Sequence, residues 1–401
     1  MYYAGIDISK RSLSVSVLDD AGEMIRSPVS LPVNSKGLSR LADIFTRISK
    51  NKNEIQVGME ATGNLWENVY SFLEEKEYTQ ALINPHQSKK FHELARRKAK
   101  TDKVDSVVIA GLLRSGETIG SYVPEDDFQA LRELVRLRHS LQKTKKNYQR
   151  RASSLLGVIF PEYAQLVKNP FREVSCMILA KYPTAIHMRE AKSSDLVKIS
   201  RKIQGNNYSG ELASKLIKAA KESIYSGKAY RVRGMNLRIL LEEIKSLKEK
   251  IERIDKEIDD ILSSKEPPSP EGRLLEIPGV GPKTVAAFRG EVGDVNRFSS
   301  GTELIGFIGW HPKISESGEK KSRHPKMSKK GSPTLRAALY MASVSCIKHN
   351  RELRSLYLKK ISQGKEAKQA LVCVGKKLAC IMYSMLKNGS SYDPQRVFVQ
   401  T

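Results

Sequence analysis

The chain has 401 residues, 40% hydrophobic and 28% charged, with 69 Lys and Arg against 44 Asp and Glu and a formal net charge of +25. That length suits two or three domains whose cores hold without disulfides, and no apolar run approaches the roughly 18 residues that a membrane span needs. The basic excess favours a polyanionic partner, because each cation set against a phosphate releases condensed counterions; a basic solvated surface is the competing reading.

The N-terminus, Met1-Tyr2-Tyr3-Ala4-Gly5-Ile6-Asp7, reaches an acid at once. That speaks against a signal peptide and for a cytoplasmic, nucleoid-associated protein with no membrane partner. Residues 2–8 read as a strand. Leu13, Val15 and Val17 alternate with serines at strand period, and Asp19-Asp20-Ala21-Gly22 is a turn before a third strand near 23–30. Leu38, Leu41, Phe45 and Ile48 form a helical stripe capped by Asn34 or Ser35. A strand over 55–59 stops at Glu60, and a helix over 64–75, a strand over 79–83 and helices over 86–98 and 102–115 follow. Three strands, helix, strand, helix, strand, helices is the order of a ribonuclease-H-like α/β domain.

Pro124 and Glu125-Asp126-Asp127 mark a boundary. From Leu131 to Leu156 the pattern is helical and carries Arg132, Arg136, Arg138, Lys143, Lys145, Lys146, Arg150 and Arg151, the composition of a helix that tracks phosphates or of a solvated face. Residues 160–230 read as short helices broken by Pro and Gly. Leu240, Ile244, Leu247, Ile251, Ile254, Ile258 and Ile261 then alternate four- and three-residue steps. This heptad seam predicts an intermolecular or hairpin coiled coil, with a single helix packed inside its own subunit as the alternative. After a Pro- and Ser-rich linker, Ile277-Pro278-Gly279-Val280-Gly281-Pro282-Lys283-Thr284 has the form of a helix-hairpin-helix turn, whose backbone N–H groups can face a phosphate. Helices are predicted near 333–349 and 365–387. Cys176, Cys346, Cys373 and Cys380 form no C-x-x-C pair, which argues against a zinc ribbon, and Cys373 and Cys380 read as core.

Four acids fall where a nuclease metal site needs them. Asp7 lies on the first strand, Glu60 ends the fourth, and Asp102 and Asp105 are three apart, on one face of a helix. Strand-end acids and a helical pair can converge on one or two Mg²⁺ ions; a pair of ions about 3.5–4 Å apart stabilises both the attacking and the leaving oxygen at a phosphate. In the loop from Trp310 to Lys320, Ser317 precedes a glycine, and Lys320, Lys321, Arg323, Lys326, Lys329, Lys330 and Arg336 follow. On composition alone Ser317 is a turn residue or a nucleophile whose transition state the cations stabilise, with no clear base to take its proton.

Gly5-Ile6-Asp7-Ile8-Ser9-Lys10, Glu60-Ala61-Thr62-Gly63, Ile83-Asn84-Pro85 and Lys100-Thr101-Asp102-Lys103-Val104-Asp105 resemble the N-terminal DEDD domain of bacterial insertion-sequence transposases, relatives of the Piv-type DNA invertases. Ile277-Pro278-Gly279-Val280-Gly281, Phe307-Ile308-Gly309, Glu316-Ser317-Gly318 and Met327-Ser328-Lys329-Lys330-Gly331 resemble the C-terminal domain of the same group. The resemblance implies a RuvC-type fold with Asp7, Glu60, Asp102 and Asp105 as catalytic Mg²⁺ ligands. It also implies that the serine of the SG motif, Ser317, attacks DNA to form a phosphoserine link, and that serine and carboxylates meet in a composite centre. The implied partners are the DNA of element ends and target, a structured noncoding guide RNA, and further copies of the chain in a dimer or tetramer.

The prediction is therefore an α/β plus α protein in three parts. These are a RuvC/RNase-H-like DEDD domain over 1–124, a basic helical and coiled-coil region over 125–264, and a mainly helical transposase domain with the helix-hairpin-helix motif over 265–401. The expected nucleic-acid contacts are Arg136, Arg138, Lys145, Lys146, Arg150, Arg151, Gly279, Gly281, Lys283, Lys320, Arg323, Lys329, Lys330 and Arg336. Two rivals stand beside it: a RuvC-like metal-dependent junction nuclease with Ser317 as structure, and a nonenzymatic nucleic-acid-binding protein.

Overall fold

Strand alternation builds the first part of the chain. In the computed structural model, β1 (Tyr2–Ile8), β2 (Ser12–Asp19), β3 (Met24–Pro32), α1 (Ser35–Ile48), β4 (Ile55–Glu60), α2 (Trp66–Glu75), β5 (Thr79–Ile83), α3 (Pro85–Leu94) and α4 (Asp102–Arg114) follow in order. The structure describes residues 1–61, 63–94, 102–116, 122–203, 209–263, 269–312 and 327–398. The chain divides into two compact units, Met1–Val123 and Pro124–Thr401.

The first unit holds one sheet in the order β3-β2-β1-β4-β5. Its first three strands are antiparallel, and β4 and β5 run parallel to β1. This mixed sheet has the ribonuclease-H-like arrangement expected from the element order. One face buries Ala4, Ile6, Leu13, Val15 and Val57 against Leu41 and Phe45 of α1 and Val69 and Leu73 of α2. Asn34 caps α1, its side chain accepting from the Gly37 N–H at 2.9 Å.

The opposite face receives α4, and two glycines make room for it. A Cβ on Gly5 would fall on the Ser106 carbonyl and the Ala110 backbone nitrogen, and one on Gly58 would lie 2.5 Å from Leu113 Cδ1. Ile109, Leu112 and Leu113 of α4 are buried there with Ile83.

The second unit is helical among the described residues. It comprises α5 (Asp126–Ile159), α6 (Tyr163–Leu166), α7 (Glu173–Lys181), α8 (Ala185–Arg189), α9 (Ser193–Arg201), α10 (Gly210–Lys221) and α11 (Tyr230–Ser263). It continues through α12 (Pro270–Leu275), α13 (Pro282–Val292), α14 (Gly301–Ile308), α15 (Pro333–His349), α16 (Arg351–Ser362) and α17 (Ala367–Asn388). Helix α16 has no counterpart among the elements expected from the sequence. The long helices α5 and α11 pack antiparallel: Arg138 near the start of α5 pairs with Asp255 late in α11, while the Val158 carbonyl at the end of α5 accepts from Ser226 N–H, just before α11. The heptad seam lies in this hairpin. Leu240, Ile244, Leu247, Ile251, Ile254 and Ile258 are buried, and Leu262 rather than Ile261 takes the last buried step. One end of the hairpin joins a core with α12–α17, through Leu131, Val135, Ile254 and Ile258. The other end joins a core with α6–α10, through Leu156, Ile159, Leu237 and Leu241.

Two expectations need correcting. Helix α17 is, by length and composition, long and apolar enough to cross a membrane, contrary to the reading of the sequence; half of its apolar window is buried inside the protein, where Val374, Leu378 and Met382 are core. Its apparent span character comes from packing on several sides. Of the cysteines, Cys346 is the buried one, while Cys373 and Cys380 are only partly buried.

Gly5→Ala tests the seat of α4. Overpacking at a backbone contact costs roughly 1–3 kcal/mol, so the first unit should melt several degrees lower by calorimetry of the full chain; an unchanged melting temperature would refute the packing argument.

Candidate functional site

The strand register fixes the acids. Ile6 of β1 pairs with Met59 of β4, so Asp7 and Glu60 stand level at the C-terminal ends of adjacent parallel strands. Side chains alternate along a strand, and Gly5 and Gly58, two residues earlier, face α4; Asp7 and Glu60 share that face. The direction of α4 follows from its far end. Arg114 Nη1 donates to the Asp20 carbonyl at 3.3 Å, and the Asp20 carboxylate binds the N-terminal amine at 2.8 Å. The last turn of α4 thus lies over the start of β1, and its first turn, with Asp102 and Asp105, lies toward Asp7.

Helix α3 adds a residue that the sequence did not single out. Ser88, 7% exposed, donates from Oγ to Glu60 Oε2 at 2.8 Å. Nothing local marks Ser88; the parallel pairing of β4 with β5 brings the first turn of α3 to Glu60. Among the described residues no three His, Cys, Asp or Glu side chains form a closed metal-binding cluster. Asp102 is placed by its backbone, as the first residue of α4. The donor set is entirely oxygen, which suits a hard divalent cation such as Mg²⁺.

The serine loop has a described base. Ser317, Lys320 and Arg323 lie outside the described residues. Pro312 and Met327 form an antiparallel bridge at its ends. Beneath it, Ser328 N–H donates to the His311 carbonyl at 2.9 Å and Lys329 N–H to the Gly309 carbonyl at 3.0 Å. The two passes of chain cross closely at Gly309, φ +80°, where a Cβ would lie 2.7 Å from Gly331 N. Lys329 is itself left-handed at φ 56°, a conformation that costs free energy in a non-glycine residue and collects at functional loops. Lys329 and Lys330 are exposed.

Several cations expected to meet phosphate have partners inside the protein. Arg136 binds Glu291 of α13 through two bonds of 2.8 and 2.9 Å, which raises its pKa further. Arg138 holds Asp255 in the same forked way. Lys283 pairs with Asp259 at 2.9 Å. Arg336 Nη1 donates to the Ile308 carbonyl at 3.0 Å and the Gly331 carbonyl at 2.6 Å; burial lowers its pKa. These four tie helices and the loop base together, so a phosphate contact by any of them would compete with a bond inside the protein. Gly279 is also explained by packing: at φ +93° its Cβ position falls 2.7 Å from Cys346 Cα in α15. Gly281 forms the N-cap of α13 with nothing close to its Cβ position.

What remains is one face of α5. His139, Lys143, Lys146 and Arg150 recur at helical spacing and line a shallow groove with Gln142 and Asn147. Lys145 is partly buried; Arg151 is exposed, its guanidinium 5.7 Å from the centre of the Tyr148 ring. The thiols offer no competing nucleophile among the groups that show a shift. Burial pushes Cys346 up to about 12 and Cys176 up to about 11, far above the range of a reactive thiolate.

Comparison with known proteins agrees at both ends of the chain. Residues 4–161 match a DEDD family model of IS110 type described as a transposase, and residues 271–358 match one described as the transposase IS116/IS110/IS902 family. Over 98% of its length the chain is 22% identical to the insertion element IS110 43.6 kDa protein of Streptomyces coelicolor, covering 95% of that protein. It is 30% identical to the transposase for insertion sequence element IS1111A of Coxiella burnetii over 30% of this chain and 34% of that one. It is 28% identical to the pilin gene-inverting protein of Moraxella bovis over 30% of this chain and 38% of that one.

The division of cations into two groups is testable. Lys146→Glu with Arg150→Glu should weaken duplex DNA binding and lower the salt slope by about one for each phosphate that the protein no longer neutralises, with unaltered melting. Arg138→Ala should instead lower stability, by about 1–3 kcal/mol. Binding titrations at several salt concentrations and thermal melts of both variants decide; the reverse pattern would refute the division.

Proposed function

The chain belongs to the IS110/IS116/IS902 family of transposases, enzymes that cleave and rejoin DNA, and on that premise we propose that it recombines insertion-sequence ends with target DNA through a serine nucleophile assisted by a divalent-metal site. The observation that carries this reading is the level placement of Asp7 and Glu60 on adjacent parallel strands, facing the helix that begins with Asp102. A RuvC-like sheet brings strand-end acids to such an edge to act on phosphodiesters.

In this reading Ser317 supplies the attacking oxygen. Its Oγ attacks a phosphodiester phosphorus and forms a phosphoserine bond as the P–O bond to the 3′ or 5′ oxygen breaks; the serine proton ends on that leaving oxygen, and a hydroxyl freed in the same way on the other DNA strand then attacks the phosphoserine, rejoining DNA and returning the proton to Ser317. Asp7, Glu60, Asp102 and Asp105 would hold a divalent ion such as Mg²⁺, which would supply positive charge to the phosphate oxygens. Lys329 and Lys330 add positive charge at the base of the serine loop. Gly281, at the partly exposed start of α13, is a further phosphate contact. The α5 face with Lys146 and Arg150, flanked by Lys145 and Arg151, takes the phosphate backbone of DNA or of a structured noncoding guide RNA. The protein acts as a dimer or tetramer. The middle region 125–264 and the C-terminal region 265–401 serve as distinct functional parts within one compact unit.

Ser317→Ala and Asp102→Ala should each abolish recombination of a plasmid carrying element end and target, by at least about 10³-fold, while nucleic-acid binding in a gel shift persists. Recombination at the wild-type rate by either variant would overturn the mechanism.

A further inference from the structure

Two buried serines, Ser14 and Ser88, lie beside the carboxylates. Ser14 of β2 lies directly opposite Asp7 of β1, and residues directly opposite in an antiparallel pair point to the same face of the sheet. That face is the one covered by α4. Ser14 is 3% exposed, and its Oγ has no hydrogen-bond partner among the described residues. A buried hydroxyl left without a partner costs free energy that an alanine would not, and such groups in a native protein call for an explanation such as a missing ion or water. Ser88 presents the complementary case: its Oγ lies 2.8 Å from Glu60 Oε2, closer than the 3.1 Å to its other acceptor, the Pro85 carbonyl.

We propose that Ser14 and Ser88 form a hydroxyl layer behind the carboxylate site. Ser88 is a positioning residue that fixes the rotation of the Glu60 carboxylate, and Ser14 hydrogen-bonds a water of the divalent ion held at Asp7. Small divalent ions dehydrate reluctantly and keep several waters when bound by few carboxylates. Groups that orient the ligands or their waters tune affinity without touching the ion. Ser16 supplies an internal comparison. It too is buried, with an Oγ unpartnered among the described residues, but it stands opposite Gly5, one side-chain step further from the strand end. This inference rests on the metal-site reading of Asp7 and Glu60.

The test is titration of the full chain with Mn²⁺, followed by electron paramagnetic resonance, together with thermal melts in EDTA. Wild type, Asp7→Asn, Ser14→Ala, Ser16→Ala, Ser88→Ala and Ser88→Thr are compared. Ser14→Ala and Ser88→Ala should bind Mn²⁺ about 10-fold or more weakly, Ser88→Thr should recover most of that loss, and Ser16→Ala should bind as wild type. Ser14→Ala should melt in EDTA at or above the wild-type temperature, because it removes an unpartnered hydroxyl; weakened ion binding in a protein that is no less stable is the signature that a merely structural serine lacks. If Asp7→Asn loses the ion while Ser14→Ala and Ser88→Ala keep wild-type affinity, the hydroxyl layer is overturned and the metal site stands. If wild type binds no Mn²⁺, or Asp7→Asn binds it as well as wild type, both the metal-site reading and this inference fall.

Discussion

The site in the first unit depends on how closely one helix can approach one sheet. A side chain at Gly5 or Gly58 would hold α4 off β1 and β4, because the space a Cβ needs is already filled by the Ser106 carbonyl and by Leu113. With both positions empty, the backbone of α4 rests on the sheet, and its N-terminal turn reaches the edge where β1 and β4 end. Asp7 and Glu60 are therefore set side by side by strand register and packing and not by mutual attraction, which carboxylates cannot supply. The same packing buries the hydroxyls of Ser14 and Ser16 beneath α4.

The second unit solves a different problem: it joins two separate cores through one helical hairpin. Its ends are apolar, but the middle of α5 contributes mostly polar and basic residues from His139 to Arg150. Forked Arg–carboxylate pairs hold the end near α13, where Arg136 meets Glu291 and Arg138 meets Asp255. Arg289 pairs with Glu271 at 2.8 Å in the core itself, under the ring of Phe128. Guanidinium groups suit this work because their planar donors match a carboxylate in two places. A good part of the positive charge near the start of α5 thus holds the protein together, and the charge on its middle turns faces outward.

Much of this was legible in the sequence. Strand runs that end around Asp7 and at Glu60, and a spacing of three between Asp102 and Asp105, outlined a ribonuclease-H-like domain with its candidate acids. The heptad seam from Leu240 to Ile258 announced a buried stripe. What the stripe packs against was not legible, since the facing helix lies about a hundred residues earlier and carries apolar residues mainly at its ends. The intramolecular partners of Arg136, Arg138, Lys283 and Arg336 were not legible because a sequence displays a charge but not its partner; Glu291 is 155 residues from Arg136. The serines that alternate with Leu13, Val15 and Val17 marked a strand but not that both of its faces are covered. Their burial follows from α4, whose docking on that face is a tertiary event that alternation cannot encode.

The most direct test of the account is to identify the atom that DNA becomes attached to. The protein and Mg²⁺, with and without the proposed guide RNA, are incubated with a supercoiled plasmid bearing the element's end junction and target, then denatured, digested and analysed by mass spectrometry for nucleotide-bearing peptides. The account predicts a nucleotide phosphate on Ser317. Strand cleavage with no nucleotide on any peptide would contradict it and identify a metal-activated water, the chemistry of a junction nuclease, as the attacking group.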